Sequence, residues 1–465
     1  MTLRTSEITY VRDTIAAKAT PPGTGGIGVV RVSGPDAADI GQSLLGCLPA
    51  VRYATLCNFL DETGSSIDHG IALYFKGPNS FTGEDVLEVQ GHGGPVVLDM
   101  ILNRIVSLGA RIAQPGEFSQ RAFLNDKIDL TQAEAIADLI NSSTQSAARR
   151  AVRSLQGEFS IRINALIALV IELRVFVEAA IDFPEEEVDF LSDERIFKRL
   201  SEARQQIDVV LKEAGQGVIM SEGATVVLAG RPNVGKSSLM NILTGRDRSI
   251  VTDVPGTTRD IIDELIQIDG IPLRLVDTAG MRISQDKIEA EGVRRAGAEI
   301  KNADLTLLVI DANLTRLDRA VQLAELNQEM RLLTGQENVN ALIVLNKIDL
   351  IEGNAAELGE SFQDAVCVSA KTGDGMDQLK ERLKRQIGID SSVETNFTAR
   401  TRHVVALGRA AAALAVGQQA LELHQAGEIL AEELRVCQQH LSEITGVFTA
   451  DDLLGEIFSS FCIGK

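Results

Sequence analysis

Tryptophan is absent from this 465-residue chain, and aromatic residues of any kind make up only 4% of it. Basic charge is also scarce, with 45 Lys and Arg against 65 Asp and Glu, a formal charge of -20. That balance argues against a protein that wraps nucleic acid in a broad basic surface. The acidity is spread along the chain, so no segment reads as a detachable acidic tail or basic arm. The five cysteines (Cys47, Cys57, Cys367, Cys437 and Cys462) form no CxxC pair and no zinc spacing, which points to a reduced, cytoplasmic protein. Long uncharged apolar runs are missing too. The stretch Ile161–Val177 is broken by Arg162, Asn164, Glu172 and Arg174, and a membrane helix needs ~20 apolar residues. Arg4, Glu7, Arg12 and Asp13 precede any apolar run, so no secretory signal is expected. The final Cys462-Ile463-Gly464-Lys465 superficially resembles a prenylation box, but Gly464 and Lys465 fit that pattern poorly.

What is present is length and pattern. A chain of 50.0 kDa can bury the cores of several domains. Residues 1–118 alternate β-rich runs (Ile27–Val32, Gly70–Phe75, Asp85–Gln90) with turns and a helical pattern at Val96–Leu108. Residues 119–214 read as helical, with Thr131-Gln132-Ala133-Glu134 as a capping box and periodic stretches at Phe159–Ala180 and Ser192–Ala214. Residues 215–385 differ. Apolar runs at Val226–Ala229, Leu273–Val276, Leu305–Ile310, Leu342–Leu345 and Val366–Val368 alternate with helical segments, the pattern of a parallel, doubly wound sheet. Helical text returns over 386–465. The expected architecture is a multidomain α/β and α protein: an N-terminal α+β domain, a helical domain formed by two chain segments, and an inserted doubly wound domain.

The strongest motif is Gly230-Arg231-Pro232-Asn233-Val234-Gly235-Lys236-Ser237, a GxxxxGK[ST] match between a strand and a helix that opens at Ser238. Backbone amides and the helix N-terminus there can cradle phosphates. Lys236 would reach the β/γ-phosphates and the Ser237 hydroxyl would ligate Mg²⁺. Asp277-Thr278-Ala279-Gly280 and Asn346-Lys347-Ile348-Asp349 each end a strand, and Ser369-Ala370-Lys371 follows a third. A carboxylate at Asp349 accepts from both N1–H and N2–H₂ of guanine, a donor pair adenine lacks, so it selects GTP over ATP. Together these resemble the G domain of Ras-like, translation-factor-related GTPases.

Met281 stands where Ras-like proteins carry a water-orienting Gln after DTAG. The acid or base must come from elsewhere, and Glu289, with Arg282 as a nearby cation, is the candidate against the plainer reading of a solvated helix face. Upstream, Thr252-Asp253-Val254-Pro255-Gly256-Thr257-Thr258 can close over Mg²⁺ through the Thr258 hydroxyl. GRPNVGKSS, TDVPGTTRD and DTAGM look like the potassium-dependent class of TRAFAC GTPases. With ATPPGTGGIGVVRVSG, NSFTGEDVLEVQGHGGP, PGEFSQRAFLNDKIDLTQAEAIADLI and the terminal FSSFCIGK, the chain resembles, from residue 11 to 465, the MnmE (TrmE) family of tRNA wobble-uridine modification GTPases.

That resemblance implies a homodimer whose G domains meet across K⁺ during GTP hydrolysis. It makes Asn233 a K⁺ ligand, with Thr252, Val254 and Thr257 supplying loop oxygens, and puts Glu289 at the family's catalytic Glu. A side chain that merely braces the loop is the alternative for Asn233. The resemblance also implies that residues 1–118 fold like tetrahydrofolate-binding domains and dimerise. Arg31, Glu88, Lys127 and Lys465 then match folate-contacting positions, although Arg31 and Glu88 could simply pair across neighbouring strands. Gly23–Gly28 formally matches GxGxxG, but it leads into a β-run and not a helix, so the dinucleotide reading fails. Cys462 is a candidate reactive thiol against an inert core thiol. His92 reads as a turn or packing residue. Arg149, Arg150 and Arg153 form the most basic helical patch, a solvated face or a contact for tRNA. The family works with the FAD-binding subunit MnmG (GidA), in a heterotetramer or larger assembly, and uses a one-carbon folate. A GTP switch in ribosome assembly and a folate-dependent one-carbon transferase with GTP as regulator are the alternatives.

Overall fold

The computed structural model describes residues 13–142, 144–182, 194–246, 262–277, 297–335, 339–351, 362, 365–389, 396–447, 454, 457–459, 461 and 464. The chain divides into two compact units, Met1–Ile140 with Ser154–Ile196 and Val416–Lys465, and Asn141–Arg153 with Phe197–Ala415.

In the first unit, β1 (Ile15–Lys18), β2 (Gly25–Ser33), β3 (Thr55–Leu60), β4 (Ser66–Phe75), β5 (Val86–Gly93) and β6 (Arg111–Ile112) form one sheet in the order β3-β4-β5-β2-β1-β6. Only the short β1–β6 pairing is parallel. Side chains alternate between the two faces of a strand. Val30, Val32, Leu87 and Val89 therefore share a core with Ile40 and Leu44 of α1 (Ala37–Leu45) and with Leu98, Ile101 and Ile105 of α2 (Pro95–Ser107). Arg31 and Glu88, one step along the same strands, are directly opposite each other on the other face. There Ile15 and Ala17 pack with Phe118 of α3 (Glu117–Leu124). The GxGxxG segment runs into β2, as its strand-like context requires.

The helix α4 spans Leu130–Asn141, and its cap corrects the expected one. Asp129 Oδ1 accepts from the Gln132 N–H at 2.9 Å, and Gln132 Oε1 accepts from the Asp129 N–H at 3.0 Å. The reciprocal box is thus Asp129–Gln132, two residues before Thr131–Glu134. Thr131 is buried and exchanges a hydrogen bond with Ser160 at 2.7 Å instead. Farther on, α6 (Glu158–Asp182) buries Phe159, Ile163, Leu166, Val170, Leu173 and Val177, spaced alternately four and three apart. It packs on a helix over Gly427–Thr445, whose Leu430, Leu434, Cys437, Leu441 and Ile444 repeat that spacing. Two such seams face each other as in a coiled coil. Burial in this seam pushes the Cys437 thiol up to about 12.

In the second unit, α5 (Gln145–Leu155, which runs on into the first unit) and α7 (Glu194–Glu222) precede a six-stranded sheet. Its strands are β7 (Ala224–Ala229), β8 (Ile262–Ile268), β9 (Ile271–Asp277), β10 (Leu305–Asp311), β11 (Ala341–Asn346) and β12 (Val366–Val368), in the order β12-β11-β10-β7-β9-β8. Both faces are buried. Val226, Leu228, Leu275 and Val309 pack under α8 (Lys236–Arg246) and a helix over Met376–Gln386, whereas Val227, Val276, Leu308 and Ile310 pack under α9 (Arg316–Thr334). The sheet is doubly wound, but not wholly parallel. β8 runs antiparallel to β9 as a hairpin turning at Asp269 and Gly270, whose φ values of 50° and 85° suit an Asp-Gly two-residue turn. Among the described residues, the helix Thr401–His424 alone is long and apolar enough by length and composition to cross a membrane. It carries Arg402 and Arg409 and buries Leu407, Ala410, Leu414 and Leu421 against the protein.

Candidate functional site

The parallel strands β7, β9, β10, β11 and β12 have their carboxyl ends along one edge of the sheet, and the strand order reverses at β7 between β9 and β10. Open α/β sheets bind ligands at such a switch point. The chain leaves β7 at Ala229 and re-enters helix at Lys236. Between them Asn233 is left-handed at φ 65°, and Gly235 has φ +97°. A Cβ on Gly235 would lie 2.3 Å from Asn346 Nδ2, so only glycine fits. Lys236 is 8% exposed, and its ammonium donates to the carbonyls of Gly230 (2.8 Å) and Arg231 (3.2 Å). Burial pushes its pKa below the usual lysine value, and the neighbouring Asp277 partly opposes this. Ser237 Oγ donates to Asp277 Oδ2 at 3.1 Å. Asp277 is itself buried, and its Oδ1 has no hydrogen-bond partner among the described residues. A hydroxyl beside a buried carboxylate with a spare oxygen is a donor set suited to a hard divalent cation.

Asn346, 1% exposed, ends β11 and holds two loops together. Its Nδ2 donates to the Val234 carbonyl of the phosphate-type loop (2.9 Å), and its Oδ1 accepts from the Ala370 N–H beyond β12 (3.0 Å). Lys347 is left-handed at φ 70°, and its ammonium pairs with Asp311 Oδ2 at 2.7 Å. Asp349 lies on a 3-10 turn over Ile348–Leu350, where its Oδ1 accepts from the fully buried Ser369 Oγ at 2.7 Å. That bond orients an exposed carboxylate toward solvent, while the amides of Lys371 and Thr372 in turn donate to Ser369 Oγ. Val234, Gly235, Lys236, Ser237, Asp277, Asn346, Lys347, Asp349, Ser369 and Ala370 thus form one connected constellation. Ser238 and Lys371 are exposed at its rim. Thr252 to Thr258, Thr278 to Gly280, Arg282, Glu289, Cys462 and Lys465 lie outside the described residues.

In the other unit, Arg31 Nε donates to Glu88 Oε1 at 2.8 Å, which is the cross-strand pair that the strand register dictates. Arg31 Nη1 also donates to the Gly464 carbonyl at 3.4 Å, so the C-terminal motif reaches this pair. Lys127 Nζ donates to the Pro78 carbonyl at 2.9 Å. A separate apolar cavity of about 560 Å³, with Lys18, Pro22, Leu98 and Leu102 in its wall, includes none of these residues. His92 is exposed, and its Nδ1 contacts Asp68 Oδ1 at 2.8 Å. Of the arginine patch, Arg149 and Arg153 are exposed. Arg150 is half-buried, donates to Ser146 Oγ at 3.2 Å, and has its pKa pushed down by burial.

Known proteins match this chain over nearly its whole length. Residues 14–127 match the family described as GTP-binding protein TrmE N-terminus, and residues 130–462 match the family described as MnmE helical domain. The chain belongs to the MnmE (TrmE) family. Relatives named tRNA modification GTPase MnmE include that of Chromohalobacter salexigens, 56% identical over 98% of this chain and 99% of the relative. Those of Shewanella loihica (54%, over 97% and 99%) and Coxiella burnetii (55%, over 98% and 100%) are similar.

Within this MnmE-family chain, sequence reasoning passed over Asp311, Phe81 and Arg121. Asp311 carries a signal, an acidic residue at a strand end beside the base-type loop. Arg121 carries none, because an arginine in a helical pattern reads as a solvated residue. It is 2% exposed and donates to Asp13, Glu84 and Glu117. Burial opposes ionisation of Asp13 and Glu117, but the hydrogen bonds from Arg111 and Arg121 outweigh it and hold both carboxyls below the usual range.

Proposed function

We propose that this chain hydrolyses GTP and, in the cytoplasm, takes part with an FAD-binding partner subunit of the MnmG (GidA) type in modifying the 5-position of wobble uridine in tRNA. The observation that carries the reading is the Asn346 bridge, which joins a phosphate-type loop to the loop whose Ser369 holds the guanine-type carboxylate of Asp349. Relatives of nearly equal length named tRNA modification GTPase support it. Lys236 and the amides of Asn233 to Ser238 bind the phosphates of GTP or GDP. Ser237 and Thr258, with Asp277 near by, hold Mg²⁺, which when bound neutralises charge on the phosphate oxygens. Asn233, Thr252, Val254 and Thr257 hold K⁺. Glu289 positions and deprotonates the attacking water, and Arg282 adds positive charge beside it. Asn346, Lys347, Asp349 and the Ser369–Lys371 loop read the base.

A tetrahydrofolate derivative fits the chemistry of Arg31, Glu88, Lys127 and Lys465. Cations suit its glutamate carboxylates, and Glu88 has a second oxygen without a partner among the described residues for the donor edge of a pterin. The functional division is a folate-binding and dimerisation domain over 1–118, a helical domain over 119–214 and 386–465, and a G domain over 215–385. The working form is a homodimer joined to its partner subunit. With so acidic a chain, tRNA contact is local, near Arg149 and Arg153, or delegated to that partner. The test is wobble-uridine modification by the purified chain, with and without the partner subunit, GTP and a one-carbon folate. Modification only when all are present is expected, with weak tRNA binding by this chain alone. GTP turnover without any dependence of tRNA modification on it would overturn the reading in favour of a GTP switch of another kind.

A further inference from the structure

The aromatic ring of Phe81 stands beside the Arg31–Glu88 pair, in a chain that has few aromatic rings to spare. Phe81 is 36% exposed, and its centroid lies 5.8 Å from Arg31 Cζ. Phe118 approaches the same guanidinium at 5.7 Å, but it is wholly buried and serves the core. Phe81 instead sits on the loop between β4 and β5, where an apolar ring open to solvent contributes little to stability.

That loop is nevertheless pinned by buried polar groups. Arg121 Nη1 donates to Glu84 Oε2 at 3.1 Å, and the guanidinium is held in turn by Asp13 (2.6 Å) and Glu117 (3.0 Å). Glu84 Oε2 accepts from Ser33 Oγ at 2.7 Å, and the fully buried Ser33 and Thr82 hydroxyls exchange a bond at 2.7 Å. Asn125 Nδ2 donates to the Thr82 carbonyl at 2.7 Å. Thr82 and Glu84, which follow Phe81 on this loop, are therefore each fixed from two or more sides. Burying so many charges is costly unless every one is paired. Spending such a network on a surface loop makes sense if the loop must hold one geometry.

We propose that Phe81 is the aromatic wall of the one-carbon-folate pocket and that Arg121, acting through Glu84 and Thr82, positions it. The planar pyrimidinone ring of a reduced pterin stacks on Phe81, with its N–H donors meeting Glu88, whose other oxygen is held by Arg31. This inference rests on the folate reading above and adds the residue that recognises the flat part of the ligand.

The test is calorimetric titration of the full-length chain with 5-formyltetrahydrofolate at a temperature well below its melting transition. Phe81→Leu weakens binding roughly 5- to 10-fold, the worth of an aromatic stacking contact, whereas Phe81→Tyr stays close to wild type. Glu84→Gln and Arg121→Lys also weaken binding, and each does so much less in a Phe81→Leu background, because both act through that ring. Losses that simply add would overturn the positioning role, since a general loss of stability is indifferent to Phe81. Wild-type affinity in Phe81→Leu would overturn the aromatic wall. No binding by the wild-type chain would instead overturn the folate reading itself.

Discussion

Replacing Asn346 by Ala removes a side chain that bonds both the phosphate-type loop and the base-type loop. Its Nδ2 donates to Val234 O at 2.9 Å and its Oδ1 accepts from Ala370 N at 3.0 Å, with only 1% of the residue exposed. The carbonyl and the amide left behind are each deprived of a buried partner, at about 1–3 kcal/mol apiece. A total of roughly 2–6 kcal/mol corresponds to a rise in Kd of about 30- to 20,000-fold if the whole cost falls on the nucleotide-bound state. The loss shrinks in proportion to any share already paid by the free protein. Stopped-flow binding of a fluorescent GDP analogue measures the first quantity, and the melting temperature of the free protein measures the second. Asn346→Asp separates the two halves of the bridge, because it keeps an acceptor for Ala370 but faces the Val234 carbonyl with a carboxylate. It is expected to bind at least as poorly as the alanine variant. A Kd within twofold of wild type for Asn346→Ala, with unchanged melting, would refute the coupling.

Four further outcomes are expected. Asp349→Asn weakens GTP binding by roughly 100-fold through loss of a charged acceptor, and restores binding of xanthosine triphosphate, whose C2 carbonyl meets the new amide; competition binding with the two nucleotides reads this directly. Glu289→Ala lowers GTP turnover while leaving binding intact, and wild-type turnover with unchanged binding would remove Glu289 from the water-positioning role. Leu434→Ala opens a cavity in the seam with α6 and destabilises the first unit by about 2–5 kcal/mol, seen in urea unfolding. Asp13 and Glu117 have carboxyl pKa values held below their unfolded values, so their stabilising contribution is complete above the ordinary carboxylate range of about 4 and is lost as pH falls from there through the depressed folded values. Calorimetry from pH 6 to pH 3 should show a falling melting temperature, with a shallower fall in Arg121→Met; identical slopes would count against the network.

The phosphate-type loop was legible because its chemistry is local. Glycine at a left-handed position, a lysine and a hydroxyl must follow each other within one strand–loop–helix turn, so spacing alone carries the inference. Strand and helix periods were legible for a related reason: both faces of β7 and β10 are buried, and the seam of α6 repeats every three or four residues. The antiparallel β8 escaped notice although Asp269-Gly270 between two alternating runs is a hairpin signal, because the surrounding βα alternation favoured a parallel reading. The cap of α4 shows where sequence by itself is degenerate. Asp129–Gln132 and Thr131–Glu134 both satisfy the capping spacing, and the choice fell to packing, because Thr131 is drawn into a buried bond with Ser160. Sequence alone thus determined the elements and the kinds of groups available for phosphate, base and folate. Tertiary structure alone decided that Asn346 joins two loops, that Arg31 is paired with Glu88, and that Arg121 is a buried hub. Such partners lie tens to hundreds of residues apart, and only the closing of the sheets brings their donors and acceptors within hydrogen-bonding distance.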